Sequence, residues 1–405
     1  MGWNPYNTFG TSASQALVVA VVTAMAADGM RAAGYRYILL DDGWQGPRAR
    51  SGQLTADPAR FPCGIAKLAA FTHAEGFRLG IYTSAAAKAC SGRAGSGGHI
   101  ARDARTFAAW GVDYVKLDWC GADYSPPGAT ALARSWRAAL NATRRTMILA
   151  INAGGSASVG SWASVIAGSW RVGGDICGSW YNQTRSPSAT ARACYSRQWD
   201  QGIYDYLTST GLREQAPLAG PGHHLDPDML EVGTFARASS GGDLPTSALS
   251  PAEQSTNFAM WAMWSAPLIA GNDPRALVPG SAAARILLNR RVIAIDQDRL
   301  GAPATLAWSG VAGHPATGAS SSAPRGAGSW QAWRKPLAGG KTAIAIVNLS
   351  DAPAAAIFPW KDLGLTGPPA QSVNLWTGRL APVSPSGLAI TAAPHDTAIY
   401  ELAAR

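Results

Sequence analysis

Short, continuous apolar runs recur through the first three quarters of the chain, each closed by polar residues and followed by a stretch with helical spacing. They are Gly2–Tyr6, Tyr35–Leu40, Arg78–Tyr82, Tyr114–Leu117, Thr146–Ile151, Ser169–Val172, His224–Leu230 and Pro267–Ala270. A strand with one wet face alternates apolar and polar residues, so uninterrupted runs point to a parallel sheet covered on its outer face. Between them, Ile65–Glu75 and Ser135–Arg145 read as amphipathic helices. Eight such units over about 290 residues predict an α/β fold, a (β/α)8 TIM barrel rather than an open doubly wound sheet. From Gly301 the helical spacing stops. Gly/Ser/Ala-rich sequence (Gly310–Gly328) precedes the runs Ser329–Arg334, Thr342–Asn348, Ala354–Pro359, Gln371–Leu375, Leu388–Ile390 and Thr397–Leu402, separated by Gly/Pro turns. These predict a C-terminal antiparallel β-sandwich without helices. The expected division is a barrel over 1–301 and a sandwich domain over 302–405, the latter shielding the barrel flank.

Composition narrows the function. Of 405 residues only 15% are charged, which disfavours a disordered acidic or basic tail protein. The net charge of +9 comes mostly from single arginines. Arg144–Arg145 and Arg290–Arg291 are too short to track a phosphate backbone, so no nucleic-acid partner is expected. No apolar stretch reaches the roughly 18 residues a spanning helix needs, so no membrane partner is expected either. Cys63, Cys90, Cys120, Cys177 and Cys194 form no CxxC pair, against a zinc ribbon or thioredoxin-type site. Two disulfides and a spare thiol fit an exported protein, as do the sequons at Asn141, Asn182 and Asn348. The chain starts directly at Met1-Gly2-Trp3, so either a leader has been removed or the protein is intracellular; with the cysteines and sequons the expectation is a secreted protein whose leader is absent from this chain. Cys63 is expected to be a buried free thiol, and Cys177 and Cys194 are candidates to pair. The 16 tryptophans suggest flat apolar platforms for sugar rings.

In a barrel, the C-terminal ends of the strands share one pit. Here those ends carry Asp41-Asp42, Tyr82, Lys116-Leu117-Asp118, Asn152, Arg171 with Asp175, Asp226 with Asp228, and Asn272-Asp273. Carboxylates at five of eight ends would crowd negative charge into one cavity, which costs free energy unless function requires it. A metal site on His223, His224, Asp226 and Asp228 is one chemistry that such a pit could serve. Glycoside hydrolysis by a carboxylate pair is the other. Trp3, Tyr6, Trp44, Tyr82, Trp119 and Trp180 fall beside the strand ends as candidate sugar platforms, which favours sugar over metal; no metal and no cofactor are expected. The bland reading of Asp226 is a cap or loop ion pair.

The motifs, taken in order, resemble the α-galactosidases and α-N-acetylgalactosaminidases of glycoside hydrolase family 27. They are Met1-Gly2-Trp3-Asn4, Leu40-Asp41-Asp42-Gly43-Trp44, Arg60-Phe61-Pro62 with Gly64, Gly80-Ile81-Tyr82 and Asp113 through Cys120. Arg171 with Asp175, Asp226-Pro227-Asp228-Met229-Leu230, Trp264 through Leu268 with Gly271-Asn272-Asp273, and Ile295 through Asp298 complete the set. The resemblance implies a retaining exo-glycosidase releasing terminal α-D-galactose from a carbohydrate substrate. It implies Asp118 as nucleophile, kept ionised by Lys116, and Asp175 as general acid/base, its pKa raised by a less polar setting or a neighbouring negative charge. Retention requires the two carboxyl groups to lie roughly 5–5.5 Å apart. By the same resemblance Asp41 and Asp42 accept from the 4- and 6-hydroxyls, Tyr6, Tyr82, Lys116, Asn152, Arg171 and Asp228 contact the sugar, and Cys90 pairs with Cys120.

The chain departs from the family pattern in three places. Tyr6 replaces a tryptophan, and Gly43 replaces a cysteine and so removes a disulfide. After the fifth strand the usual Cys-Glu-Trp becomes Ile151-Asn152-Ala153 followed by Gly154-Gly155-Ser156-Ala157, which opens space at the sugar's 2-position. That space suits the family's alternative substrates: α-N-acetylgalactosaminides, isomalto-oligosaccharides or β-L-arabinopyranosides. A non-catalytic sugar-binding barrel is the reading from another class, and it expects at least one catalytic carboxylate to be missing.

Overall fold

The computed structural model describes residues 1–155, 159–181, 200–233, 249–311 and 328–404. Eight parallel strands form a curled sheet: β1 (Gly2–Trp3), β2 (Tyr37–Leu40), β3 (Arg78–Ser84), β4 (Tyr114–Asp118), β5 (Ile148–Asn152), β6 (Ser169–Arg171), β7 (His224–Asp226) and β8 (Ile269–Ala270). Their spatial order is β7-β6-β5-β4-β3-β2-β1-β8. A parallel bridge between Leu230 and Ala270 closes the ring, with Leu230 N donating to Ile269 O and Gly271 N to Leu230 O. This is the TIM-like barrel expected from the apolar runs.

Several boundaries differ from the periodicity for local reasons. The first strand ends at Trp3, because Pro5 lacks a backbone N–H and a helical turn, Tyr6–Phe9, follows it. The seventh run is cut after Asp226, where Pro227 and then Asp228, with φ of +75°, cannot continue a strand. The helix expected at Ser135–Arg145 spans Pro126–Ala142: Ser125 accepts from Gly128 N as its cap, and Pro126 occupies the first turn.

The C-terminal domain adds a strand that the apolar runs did not reveal, β9 (Thr305–Val311). It joins β10 (Ser329–Pro336), β11 (Thr342–Asn348), β13 (Gln371–Asn374) and β15 (Thr397–Ala403) in a sheet ordered β13-β15-β11-β10-β9. β12 (Ala354–Phe358) pairs with β14 (Leu388–Ala392) as the second layer. The five-stranded sheet is covered on both faces. Trp330, Ile344, Ile346 and Tyr400 pack with Phe358, Trp360, Leu388 and Ile390 of the second layer's side. Trp333, Ala343, Ala345, Val347 and Ile399 belong instead to the barrel's core, against the helix Pro251–Met263. Among its described residues two short 3-10 turns, Ala338–Gly340 and Trp360–Leu363, sit between the strands. Most of the Gly310–Gly328 segment lies outside the described residues.

Cys63 is exposed, not buried. It stands just before the helix Gly64–Ala74, with no side-chain cap bond, while Phe61 takes the core position in the same turn. Cys90 and Cys120 form a disulfide. Cys177 is disulfide-bonded, and Cys194 lies outside the described residues. Among the sequons, Asn182 also lies outside them. Asn348 is fully buried, and its amide nitrogen donates to Ala352 O and Ala393 O, so it has no free N–H to carry a glycan.

Candidate active site

Strand period places Lys116 and Asp118 on the same face of β4, toward the barrel mouth. Asp118 accepts a hydrogen bond from Tyr82 Oη at 2.9 Å and from Trp119 N at 2.8 Å. The Sγ of Cys90 lies 3.1 Å from the same carboxylate, so the disulfide forms one wall. Burial pushes the Asp118 carboxyl up to about 6 against the opposing Lys116 charge, and the negative charge of Asp175 adds to the rise. Lys116 acts on Asp118 in the expected direction, yet burial outweighs it. Its ion pair is with Asp41 at 2.6 Å.

Asp41 and Asp42 follow β2 and are almost fully buried. Asp41 also accepts from Asn4 Nδ2 at 2.6 Å and from Asp42 N, and although burial pushes its pKa up, Lys116 and these donors bring it below its ordinary value. Asp42 accepts from Ser91 N and Ser91 Oγ, both at 2.8 Å. The glycine after it is required here: Gly43 has φ of +109°, and a Cβ would meet the Thr11 carbonyl oxygen at 2.7 Å.

Arg171, at the end of β6, is buried and two-handed. One amino group lies 2.9 Å from Asp175 and the other 2.8 Å from Asp228. Asp228 also accepts from Ile176 N at 2.9 Å. Burial drives the Asp228 carboxyl up while the guanidinium opposes it, and the bonding is that of a carboxylate. Asp175 is 56% exposed. The less polar setting expected for it is absent: it is solvent-facing and ion-paired, because it stands four residues beyond the strand on the rim. The neighbouring negative charge, Asp118, is present.

The other named residues divide. Tyr6, 38% exposed, faces the pit: burial and the charges of Asp41, Asp175 and Asp42 push its hydroxyl up to about 12. Asn152 ends β5 and accepts from Gly154 N at 3.3 Å. In the next turn Gly154 and Gly155 both have positive φ, and a Cβ on Gly155 would lie 2.9 Å from Val172 O. Ser156 and Ala157 lie outside the described residues. Asp226 accepts from Asp228 N at 2.8 Å, a local turn bond. Asp273 leaves the pit and pairs with Arg275 at 2.7 Å.

Trp3, Trp44 and Trp119 are fully buried, and Trp180 nearly so. The first three donate their indole N–H to Asn272 O, Tyr82 O and Asp123 O, which makes them packing residues rather than exposed sugar platforms. Tyr82 is buried as well and serves Asp118 through its hydroxyl. Tyr124, half exposed, lies close enough to Asp118 and Asp175 that, beyond partial burial, their charges raise its pKa. Sequence reading missed Tyr124, Asn4 and Ser91, since neither loop tips nor single polar donors leave a periodic signal.

The proposed metal set does not converge. His223 Nδ1 lies 3.1 Å from Pro221 O, and Asp228 is committed to Arg171. Among the described residues the grouping with ligand-like spacing is Cys90, Asp118 and Cys120, whose sulfurs are joined to each other and offer no thiolate. A cleft of about 570 Å³ lined by Arg48, Asp57, Lys88, Arg93 and His99 lies beside the loop after β3 and contains none of the pit's carboxylates.

Residues 7–298 match the family model described as Alpha galactosidase A, and residues 327–402 match that of the Alpha galactosidase C-terminal beta sandwich domain. The chain belongs to the α-galactosidase family, glycoside hydrolase family 27. Alpha-galactosidase A of Cellvibrio japonicus is 36% identical over 363 residues, covering 89% of this chain and 78% of that protein. The crystal structure of α-galactosidase I from Mortierella vinacea superposes with a TM-score of 0.84 at 27% identity, covering 100% and 96% of the two chains. The structure of the Saccharomyces cerevisiae α-galactosidase with raffinose gives 0.82 at 26%, covering 99% and 96%. This α-galactosidase-family chain is thus a glycoside hydrolase acting on carbohydrate, and its family supports hydrolysis of α-galactosides. Among the described residues no helix is long and apolar enough to cross a membrane.

Proposed function

We propose that the chain is a retaining exo-glycosidase that releases terminal α-D-galactose, with Asp118 as nucleophile and Asp175 as general acid/base. Asp118 Oδ forms a bond to the anomeric carbon as the bond to the leaving oxygen breaks, and Asp175 delivers its proton to that oxygen. Water then attacks the anomeric carbon of the glycosyl-enzyme, Asp175 takes the water's proton, and the Asp118–carbon bond breaks. One observation carries this reading: Asp118 is held by Tyr82 and Trp119 N and senses the charge of Asp175, which arrives from β6. Asp41 and Asp42, held by Lys116, Asn4 and Ser91, are suited to accept from the 4- and 6-hydroxyls. Tyr6 lies against the sugar face, and Lys116, Arg171, Asp228, Tyr82 and Asn152 complete the wall.

One feature supports a second substrate for the same mechanism. The turn Asn152–Gly155 carries only small side chains after Asn152, and a Cβ on Gly154 would meet nothing within 4 Å, which supports room for a 2-acetamido group. Export is part of the proposal, supported by the disulfides at Cys90–Cys120 and Cys177. The test is a side-by-side assay of 4-nitrophenyl α-galactoside, the α-N-acetylgalactosaminide, the β-L-arabinopyranoside and isomalto-oligosaccharides, with proton NMR of the first-formed sugar. Galactoside cleavage giving the α-anomer first is the expected result. An inert galactoside beside a cleaved alternative overturns the substrate, and a β-anomer formed first overturns the mechanism.

A further inference from the structure

The C-terminal domain places one side chain against the loop that carries Asp175. His395 sits in the turn between β14 and β15 and has φ of +60°, a conformation that non-glycine residues adopt seldom and His more readily than most. Its polar contacts tie it both to the barrel and to its own domain. Nδ1 lies 2.7 Å from Glu253 Oε1 on the barrel helix Pro251–Met263, and Nε2 lies 2.9 Å from Asp351 Oδ1 of the sandwich. Its backbone carbonyl accepts from Thr256 Oγ1 of the same helix at 2.6 Å. Its ring stacks on Trp180 with centroids 4.2 Å apart and planes 10° from parallel.

Trp180 is five residues beyond Asp175, and the segment between them is anchored at both ends. Ile176 N donates to Asp228, Gln201 N donates to Asp175 O, Cys177 N donates to Gln201 O, and Tyr204 N donates to Trp180 O. Tyr181, next in the chain, meets the His395 ring edge-on and donates to Asp351 Oδ1 at 3.4 Å. Asp175 itself projects from the rim with Arg171 as its charged partner. A solvent-facing carboxylate on a loop keeps a fixed aim only if the loop is held, and the His395–Trp180 stack adds a hold from the sandwich to those from the barrel.

We propose that His395 is a positioning residue for the acid/base carboxylate: it fixes the Asp175–Tyr181 segment so that Asp175 points at the leaving oxygen. The sandwich thereby contributes to catalysis and not only to burial of the barrel flank. The inference rests on Asp175 being the acid/base.

The test compares the intact wild type, Asp175→Ala, His395→Asn and His395→Phe on two α-galactosides. One has a poor leaving group needing protonation (methyl α-galactoside) and one a good leaving group (2,4-dinitrophenyl α-galactoside). Asparagine tolerates the left-handed conformation but removes the ring, while phenylalanine keeps the stack and removes both carboxylate contacts. His395→Asn should lower kcat/KM on the methyl glycoside about tenfold and on the dinitrophenyl glycoside less than about threefold, a fraction of the factor of about 10²–10⁴ that general acid catalysis supplies. His395→Phe should recover part of the loss. A partly unfolded preparation would reduce both substrates equally. Equal losses in a preparation whose thermal unfolding shows it fully folded, or no loss, overturn the proposal. If His395→Asn fails to fold, Trp180→Leu carries the same expectation and the same overturning result. If Asp175→Ala itself lacks the leaving-group selectivity, the acid/base assignment fails instead, separately from His395.

Discussion

The Lys116 ammonium makes its ion pair with Asp41, 2.6 Å away across the barrel mouth, although Asp118 lies on the same strand face two residues along. Lys116 thus serves two carboxylates unequally. It holds Asp41 ionised by direct contact and tempers Asp118 only at a distance, so burial wins there and Asp118 sits at about 6.

Lys116→Met should therefore move the acid limb of the pH–kcat/KM profile to higher pH. The nucleophile must be ionised, and removing the cation raises its pKa beyond the present value. The depressed Asp41 adds a stability effect with its own sign: its contribution is present above the carboxylate's unfolded value and lost as pH falls through the lower folded one, and the variant lacks it. An acid limb that stays in place or moves down contradicts this account.

Asp118→Asn should abolish turnover yet stabilise the free protein at neutral pH. A carboxyl whose folded pKa lies above its unfolded value of 3.8 is a burden above pH 6, and that burden vanishes below the unfolded value. A rise of about two units corresponds to about 1–3 kcal/mol once partial exposure is allowed for. Thermal unfolding at pH 7.5 and at pH 3.5 measures it: the Tm gain should be present at the first and gone at the second.

Arg171→Met strands the buried Asp228 and releases Asp175. Removing one partner of a buried pair costs about 3–5 kcal/mol, read as a lower urea midpoint with unchanged slope. Combining it with Asp228→Asn should recover part of that stability and none of the activity. Arg171→Lys should not restore activity, since an ammonium cannot reach both carboxylates as the guanidinium fork does.

Ser91→Ala removes one of the two hydrogen bonds that orient Asp42 and leaves the one from Ser91 N. If Asp42 holds a sugar hydroxyl in ground and transition states alike, KM should rise about three- to tenfold, corresponding to about 1 kcal/mol, with kcat within about twofold. A fall in kcat at constant KM would assign Asp42 a transition-state role instead.

Much of the barrel was legible because each strand leaves a local trace: a covered parallel strand is a continuous apolar run, and Lys116 and Asp118 share a face through strand period alone. Short polar donors and turns leave no such trace. Asn4 and Ser91 reach their carboxylates across 37 and 49 positions, and Tyr124 belongs to a loop tip. The tryptophans misled in the opposite direction. A large amphipathic ring looks alike in sequence whether it meets a sugar or a neighbouring helix, and Trp3, Trp44 and Trp119 are enclosed with their N–H groups satisfied by backbone.

By itself the sequence determined the strand-and-helix order, the sandwich after it, and which carboxylates stand at strand ends, because these follow from side-chain period along neighbouring residues. The tertiary structure decided which charge answers which. Arg171 on Asp228, Lys116 on Asp41, and His395 of the last domain beneath Trp180 are pairings at distances of a few ångströms between segments far apart in the chain. Electrostatics and stacking act through space and over short range, so the balance of burial against charge at Asp118 exists only once the barrel has closed.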